Sequence, residues 1–221
     1  MAKILIVYGT TEGHTAKIAR HIAQLATGRG HAVEVVDGRR APQGIAPGAF
    51  DAVMVGASIH IGAHPRCVRA FVRANRPLLE RLPSAFFSVS LSARGPRERQ
   101  LREARDNVRK FLRQTGWQPG RTAMFAGALC YSRYSPVKRP VMRLFMKLAG
   151  GDTDPSRDYE YTDWDAVTRF AEAFLDTLAE IATSRPLPER VQEIGQRIGM
   201  ALLGALMFFA LFNDFQRLLT Q

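Results

Sequence analysis

Three threonines, a glutamate and a histidine are concentrated in one short stretch of the sequence, Gly9–Thr15 (GTTEGHT). An apolar, β-branched run, Lys3–Tyr8, precedes this stretch, and small apolar residues recur at helical spacing after it. The stretch is therefore predicted to be a strand-to-helix turn, where the first N–H groups of the helix are available to an anion. The hydroxyl groups of Thr10, Thr11 and Thr15 add donors that a phosphate monoester can accept.

The turn lacks the glycine-rich fingerprint of dinucleotide sites and the lysine-containing fingerprint of nucleoside triphosphatases. Glu12 would repel a highly charged ligand unless its side chain points away. Backbone amides and hydroxyls together suit a single terminal phosphate. An ordinary N-cap formed by a threonine is the alternative that this stretch alone leaves open. The predicted ligand-binding residues are Thr10, Thr11, Glu12 (through its backbone), Gly13, His14 and Thr15.

Strand and helix patterns alternate along the rest of the chain, which predicts a doubly wound parallel sheet with helices on both faces. Helices are expected after the first strand, at about 65–80, at 98–114 and from Thr162 onward, where an N-cap and acidic residues open the last helix. The predicted strands are Lys3–Tyr8, His31–Val36, Asp51–Gly56, Ser84–Ser90 and Arg121–Leu129.

Two further loops, Ala57–Ala63 and Ser90–Gly95, follow the third and fourth predicted strands. In such sheets ligands bind beyond the carboxyl ends of the strands, so these loops should lie beside the Gly9–Thr15 turn. Both loops are rich in small and hydroxyl residues, which allow the backbone to approach a flat ring. Tight connections of this kind also use glycine and serine for their own geometry, so each loop alone leaves both interpretations open.

Composition limits the classes of function. The net charge of +11 is compatible with a nucleic acid, a membrane surface or an acidic small molecule as partner. The two cysteines form no CxxC pair and indicate a reducing compartment. His60 and His64 are four residues apart, but Gly62 lies between them and Pro65 follows, so no metal site is expected.

The end of the chain differs from the rest. Ile198–Phe212 contains no charged residue and follows a linker-like break at Ala182–Pro188. A full membrane span needs about 20 apolar residues, so this run is short for one. We predict one α/β domain at 1–184 and, at 185–221, a linker and an apolar helix that contacts the membrane; a helix docked on the protein's own core or in a dimer is the alternative.

Five sequence blocks, taken in order with the loops above, resemble the flavodoxin family and, within it, the quinone-dependent protoporphyrinogen IX dehydrogenases of bacterial haem synthesis. The resemblance covers about residues 3 to 180. An aromatic residue is usual in that pattern where Ile61 stands, and an arginine where Cys130 stands. The blocks are Gly56–Gly62 (GASIHIG), Pro83–Arg94 (PSAFFSVSLSAR), Gly127–Tyr134 (GALCYSRY), Gly150–Asp154 (GGDTD) and Tyr161–Trp164 (YTDW).

The resemblance implies a flavodoxin-like α/β fold with five parallel strands in the order 2-1-3-4-5 and a long insert after strand 5. The C-terminal hydrophobic helix is predicted from its own sequence and is not part of the resemblance. It implies FMN as cofactor, with its phosphate in the Gly9–Thr15 turn and its ring between the other two loops. The ring-binding residues would be Ser58, Ile59, His60, Ile61, Gly62, Ser90, Leu91, Ser92, Ala93 and Arg94.

The insert, Tyr131–Tyr161, is too long for a simple strand-to-helix connection. Within it, Val141, Leu144, Phe145 and Leu148 share one helical face, and a basic stripe lies beside that face. This pattern suits an anionic membrane surface, or a substrate with an apolar macrocycle and two propionates; a cover helix with a solvated charged face is the alternative. The residues predicted to act on substrate or membrane are Arg133, Arg139, Arg143 and Lys147.

The activity implied is oxidation of protoporphyrinogen IX, with electrons passed to menaquinone or ubiquinone at the cytoplasmic side of the inner membrane. An NAD(P)H:quinone reductase and a flavodoxin-type electron carrier remain alternatives, although carriers are usually acidic. A nucleic-acid or membrane adaptor without catalysis would not need three ligand-like loops in register, so no nucleic-acid partner is expected. Assembly into a homo-oligomer stays open.

Overall fold

The computed structural model of the chain describes residues 1–60, 62–94, 98–135, 138–149, 151–184 and 200. Contacts between residues divide the chain into two compact units, Met1–Ala179 and Glu180–Gln221. Most of the second unit lies outside the described residues, and so does the predicted apolar helix at 198–212, apart from Met200. The boundary predicted at residue 184 and the membrane contact of this helix therefore stay predictions.

A five-stranded parallel sheet forms the centre of the first unit. Its strand order is β2-β1-β3-β4-β5, which confirms the predicted fold class. A separate antiparallel pair joins β6, which lies just before the insert, to β7 near the end of the insert. The strands are β1 (Lys3–Gly9), β2 (Ala32–Asp37), β3 (Ala52–Ser58), β4 (Ser84–Ser90), β5 (Arg121–Ala126), β6 (Ala128–Leu129) and β7 (Tyr159–Glu160). The helices are α1 (His14–Gly28), α2 (Arg66–Leu79), α3 (Glu98–Thr115), α4 (Lys138–Ala149) and α5 (Trp164–Ser184).

The sheet is buried on both faces, because successive side chains of a strand point to opposite sides. In β1, Ile4 and Ile6 pack in the cluster that includes residues of α1 and α5. Leu5 and Val7 pack in the other cluster, which includes residues of α2 and α3. This two-sided burial explains why the strands appear in the sequence as continuous apolar runs.

The fifth strand is shorter than the sequence predicted. We expected one strand over Arg121–Leu129, but β5 ends at Ala126 and the chain leaves the sheet at Gly127. The N–H of Gly127 donates to the carbonyl of Ser90 at 3.1 Å, and its carbonyl accepts from the N–H of Tyr161 at 3.1 Å. The prediction was wrong because the apolar pattern of the sequence continues past Gly127. In the structure the residues after Gly127 form β6, which pairs with β7 and leads into the insert.

Helix α4 of the insert packs on the protein through methionines. Met146 is 3% exposed and belongs to a small cluster with Tyr131 and Tyr134, whereas Val141 and Leu144 are 62% and 60% exposed. Val141 and Leu144 therefore do not cover the core of the described chain. The side chains of Arg139, Arg143 and Lys147 are exposed as well. The outer surface of α4 thus combines apolar and basic residues.

Helix α5 begins directly after Asp163, whose Oδ1 accepts the N–H of Ala166 at 2.9 Å. The sequence predicted an N-cap in the stretch that opens at Thr162, and the structure assigns this role to Asp163. We expect Asp163→Ala to lower the free energy of unfolding by about 1 kcal/mol, because one N–H at the helix start loses its acceptor. Urea unfolding followed by tryptophan fluorescence measures the change. Asp163→Asn retains an acceptor and serves as control; an equal loss in both variants would contradict the capping role.

Candidate functional site

The three predicted loops meet at the carboxyl edge of the sheet around a cavity of about 410 Å³. Their position follows from the fold, since β1, β3 and β4 are neighbours and end at this edge. The structure therefore brings together most of the residues predicted from the sequence. Those that line the cavity are Thr10, Thr11, Glu12, His14, Thr15, Ser58, Ile59, His60, Gly62, Ser90, Leu91 and Ser92.

Three of the predicted residues that the structure describes are not among those lining this cavity. Gly13 borders neighbouring hollows on the outer side of the first loop. The N–H of Ala93 donates to Ser90 Oγ at 3.2 Å. The guanidinium of Arg94 lies 4.2 Å from the ring centre of Tyr161 and 3.5 Å from the carboxylate of Asp152, so it ties the third loop to the insert. Ile61 lies outside the described residues.

The first loop is closed by its own residues. Gly13 is the N-cap residue of α1 and has a φ of +87°, a left-handed conformation that glycine adopts without strain. The N–H of Gly13 donates to Thr10 Oγ1 at 2.9 Å, and no described side chain caps the helix. The alternative of an ordinary threonine N-cap is therefore wrong, and the N-terminal amides of α1 face the loop without a side-chain acceptor from the described residues.

Two buried hydroxyl groups in the cavity wall provide a test of what the cavity fits. Thr15 Oγ1 and Ser58 Oγ are buried and have no hydrogen-bond partner among the described residues. Leaving such a group unpaired costs about 1–3 kcal/mol. Both residues line the cavity, Thr15 at the start of α1 and Ser58 at the end of β3. A ligand with phosphate oxygens near α1 and polar ring atoms near β3 would satisfy both hydroxyls.

His14 is held in one tautomer at the cavity wall. Its Nε2 lies 2.6 Å from Thr162 Oγ1, and that hydroxyl donates its single hydrogen to the carbonyl of Ala126 at 2.7 Å. Nε2 must therefore donate to Thr162, which we infer from the hydrogen-bond network. Burial lowers the pKa of His14, against an opposing effect of the Glu160 carboxylate. The neutral ring thus retains Nδ1 as an acceptor beside the first loop.

The insert contacts the first loop directly. Nη1 of Arg133 donates to the carbonyl of Glu12, and the hydroxyl of Tyr134 donates to Glu12 Oε2 at 3.1 Å. Arg133 therefore contacts the first loop, whereas Arg139, Arg143 and Lys147 lie on the exposed surface of α4. The sequence had placed all four in one basic group, whereas the structure places Arg133 against the loop.

His64 and Cys130 are both buried and do not line the cavity. His64 is buried, its Nε2 lies 3.0 Å from Ser88 Oγ, and its ring packs edge-on against Phe86 and Phe111. Burial lowers the pKa of His64 to about 4. Cys130 is buried too, and burial raises the pKa of its thiol. Among the described residues, no cluster of metal-binding side chains is present.

Residues 5–156 match the sequence family described as the flavodoxin domain. The chain belongs to this family. Family and fold together imply that the chain binds a flavin. A flavin in the 410 Å³ cavity would give the unpaired hydroxyls of Thr15 and Ser58 hydrogen-bond partners.

Two similar proteins that match about three quarters of this chain share one name. Protoporphyrinogen IX dehydrogenase (quinone) of Escherichia coli K12 is 37% identical over 169 residues, which cover 76% of this chain and 92% of that protein. The protein of the same name from Leishmania major is 39% identical over 178 residues, covering 78% of this chain and 74% of that one. Among solved structures, oxidised flavodoxin 1 of Bacillus cereus has a TM-score of 0.43 and 20% identity over 57% of this chain and 84% of that chain.

Sequence reasoning missed part of the wall of this flavodoxin-domain cavity. Gly127 and Ala128 follow β5 at the same edge as the other loops, so the rule that located those loops would also have found them. Glu103 of α3 and the insert residues Tyr134 and Met142 carried no such signal. Together with Val89 of β4, these five residues complete the described wall: Glu103, Gly127, Ala128, Tyr134 and Met142.

Proposed function

We propose that this chain is an FMN-dependent oxidoreductase that converts protoporphyrinogen IX to protoporphyrin IX and passes the electrons to a membrane quinone, menaquinone or ubiquinone. The observation that carries the proposal is the similarity to the E. coli dehydrogenase, which extends over 92% of that protein. The cavity supports it, because its wall includes residues of the three predicted flavin loops and two residues of the insert.

FMN suits the first loop better than FAD. The loop offers the hydroxyl of Thr15 and the N-terminal amides of α1, which fit one terminal phosphate. The sequence has no pyrophosphate fingerprint in this turn. His14 is neutral and its one N–H donates to Thr162, so it adds no positive charge beside the phosphate.

The reaction balances with three quinones. Protoporphyrinogen IX loses six hydrogen atoms to become the porphyrin, and three quinones take them up as three quinols. Bound FMN supplies the hydride acceptor. The residues of this chain would bind and orient the reactants: Thr15 and Ser58 would hold the flavin, and Tyr134 and Met142 bring the insert to the cavity wall.

The outer surface of α4 supports a membrane-facing role. Arg139, Arg143 and Lys147 are exposed there beside Val141 and Leu144. Basic and apolar side chains side by side suit an anionic lipid surface, and they also suit a macrocycle that carries two propionates. We place the enzyme at the cytoplasmic side of the inner membrane, held peripherally or by its C-terminal segment.

A membrane anchor in the C-terminal segment is part of the proposal. In the part of the chain that the structure describes, no helix has the length and apolar character needed to cross a bilayer. Residues 198–212 lie almost entirely outside that part, so their role as an anchor depends on experiment.

An anaerobic assay tests the proposed activity. Purified protein with FMN is mixed with protoporphyrinogen IX and water-soluble menaquinone or ubiquinone analogues, and porphyrin fluorescence is recorded. We expect fluorescence to appear only when protein, FMN and a quinone are all present. Quinone reduction by NAD(P)H without porphyrin formation would favour a quinone reductase. A flavin spectrum without either reaction would favour an electron carrier.

A further inference from the structure

We propose that Arg133 and Tyr134 form a latch between the insert and the flavin-binding loop, and that Arg133 supplies the positive charge that this loop itself lacks. The proposal rests on FMN binding as proposed above. Gly9–Thr15 contains no lysine or arginine and does contain Glu12. A phosphate in the loop would therefore meet a carboxylate but no cation from the loop itself.

The two latch residues contact the same residue of the loop. Arg133 donates to the backbone carbonyl of Glu12, and Tyr134 donates to its carboxylate at 3.1 Å, across more than 120 positions of sequence. Burial and the Glu12 carboxylate raise the pKa of Tyr134, which keeps its hydroxyl a donor. The bond from Tyr134 holds the Glu12 carboxylate against the insert.

The segment that carries the latch is itself fixed. The N–H of Arg133 donates to the carbonyl of Cys130 at 3.1 Å. The preceding residue, Ser132, donates to Asp158 through its N–H at 2.9 Å and its hydroxyl at 2.6 Å. These bonds lower the pKa of Asp158 although burial opposes them, so the carboxylate stays charged. The guanidinium of Arg133 is therefore presented from a defined backbone position.

Arg133 lies directly on the loop. A Cβ atom added to Gly13 would lie 2.5 Å from Nη1 of Arg133, so the guanidinium covers a residue of the loop that has no side chain. Arg133 also borders a hollow of about 490 Å³ whose wall includes Thr10 and Thr11. A guanidinium carries five N–H donors, and the carbonyl of Glu12 accepts one of them. An arginine here can compensate a phosphate without contacting the flavin ring.

The latch couples the cofactor to the substrate side of the cavity. Tyr134 and Met142 belong to the insert and line the cavity. If phosphate binding strengthens the contact between Arg133 and the loop, it also favours the position of Tyr134 and Met142 at the cavity wall. The coupling acts equally in both directions. FMN would then order the insert, whereas riboflavin, which lacks the phosphate, would not.

Flavin binding to the apoprotein tests the latch. Dissociation constants for FMN and riboflavin are measured by quenching of flavin fluorescence for the natural chain, Arg133→Gln and Arg157→Gln. Arg157 is a matched exposed arginine of the insert, and its contacts are with Asp154 and Tyr159. We expect Arg133→Gln to weaken FMN about tenfold and riboflavin less than twofold, with Arg157→Gln close to the natural chain.

The outcomes separate the latch from the proposed function. A natural chain that binds neither flavin overturns the proposed FMN function, and the latch with it. A natural chain that binds FMN, together with an unchanged FMN affinity or an equal loss for both flavins in Arg133→Gln, overturns the latch alone. Arg133→Lys, which retains the charge, should preserve the preference for FMN over riboflavin within about threefold.

Hydrogen exchange adds a readout that does not depend on activity. In the natural chain, FMN should slow amide exchange in residues 131–149 more than riboflavin does. In Arg133→Gln the two flavins should have the same effect on this segment. A difference between the flavins that persists in Arg133→Gln would overturn the coupling.

Discussion

Thr15→Val should weaken FMN binding about 10- to 100-fold and leave the apoprotein at least as stable as the natural chain. The hydroxyl of Thr15 is buried in the cavity wall without a partner among the described residues. A hydrogen bond to a charged group contributes about 1.5–3 kcal/mol, which corresponds to this range of affinity. Removing an unsatisfied buried hydroxyl while retaining its shape costs the apoprotein little and can stabilise it.

Fluorescence titration with FMN and thermal unfolding of the apoprotein measure the two expected effects. Thr15→Ser retains the hydroxyl and should bind FMN nearly as the natural chain does. Thr27→Val makes the same change at an exposed position near the other end of α1 and should alter neither quantity. An unchanged FMN affinity in Thr15→Val would remove this hydroxyl from the site. A loss of stability in the apoprotein would mean that the hydroxyl already has a partner.

The parts of the fold that could be predicted from the sequence depend on local pattern. The strand Ser84–Ser90 was predicted with its observed ends, because an apolar run buried on both faces is bounded by Pro83 and a loop. The site loops followed from one rule of topology, since neighbouring parallel strands end at one edge. Neither inference required knowledge of contacts between distant residues.

The parts that could not be predicted depend on contacts between distant residues. Arg133 and Glu12 are far apart in sequence, and nothing in the spacing of either indicates the other. In α4 the branched residues Val141 and Leu144 dominated the apolar pattern, but Met146 is the residue buried against Tyr131 and Tyr134. An unbranched methionine fits an irregular surface between aromatic rings, which a helical pattern does not reveal.

Neutralising the basic residues of α4 should release the flavodoxin domain from anionic vesicles. Each lysine or arginine near an anionic surface contributes about 1 kcal/mol, so Arg139→Gln, Arg143→Gln and Lys147→Gln together should weaken vesicle binding by about 3 kcal/mol, or about 150-fold. All three side chains are exposed, so the free energy of unfolding should change little. The expected difference should shrink at high salt, because salt screens surface charge.

Sedimentation with vesicles of phosphatidylcholine and phosphatidylglycerol measures binding, and activity with vesicle-borne quinone should fall in parallel. The control neutralises two arginines and one lysine near the carboxyl ends of α2 and α3, which lie at the opposite edge of the sheet: Arg81, Lys110 and Arg113.

The same substitutions are compared in a chain that ends at Ser184 and in the full chain. The shorter chain should show the whole expected loss of vesicle binding. In the full chain, a C-terminal anchor would keep the triple variant on the vesicles even at high salt. Equal binding of the triple variant and the control variant would show that total charge alone attracts the protein to lipid. That result would contradict a specific role of α4 in membrane binding. Unfolding of the triple variant would instead assign these residues to the fold.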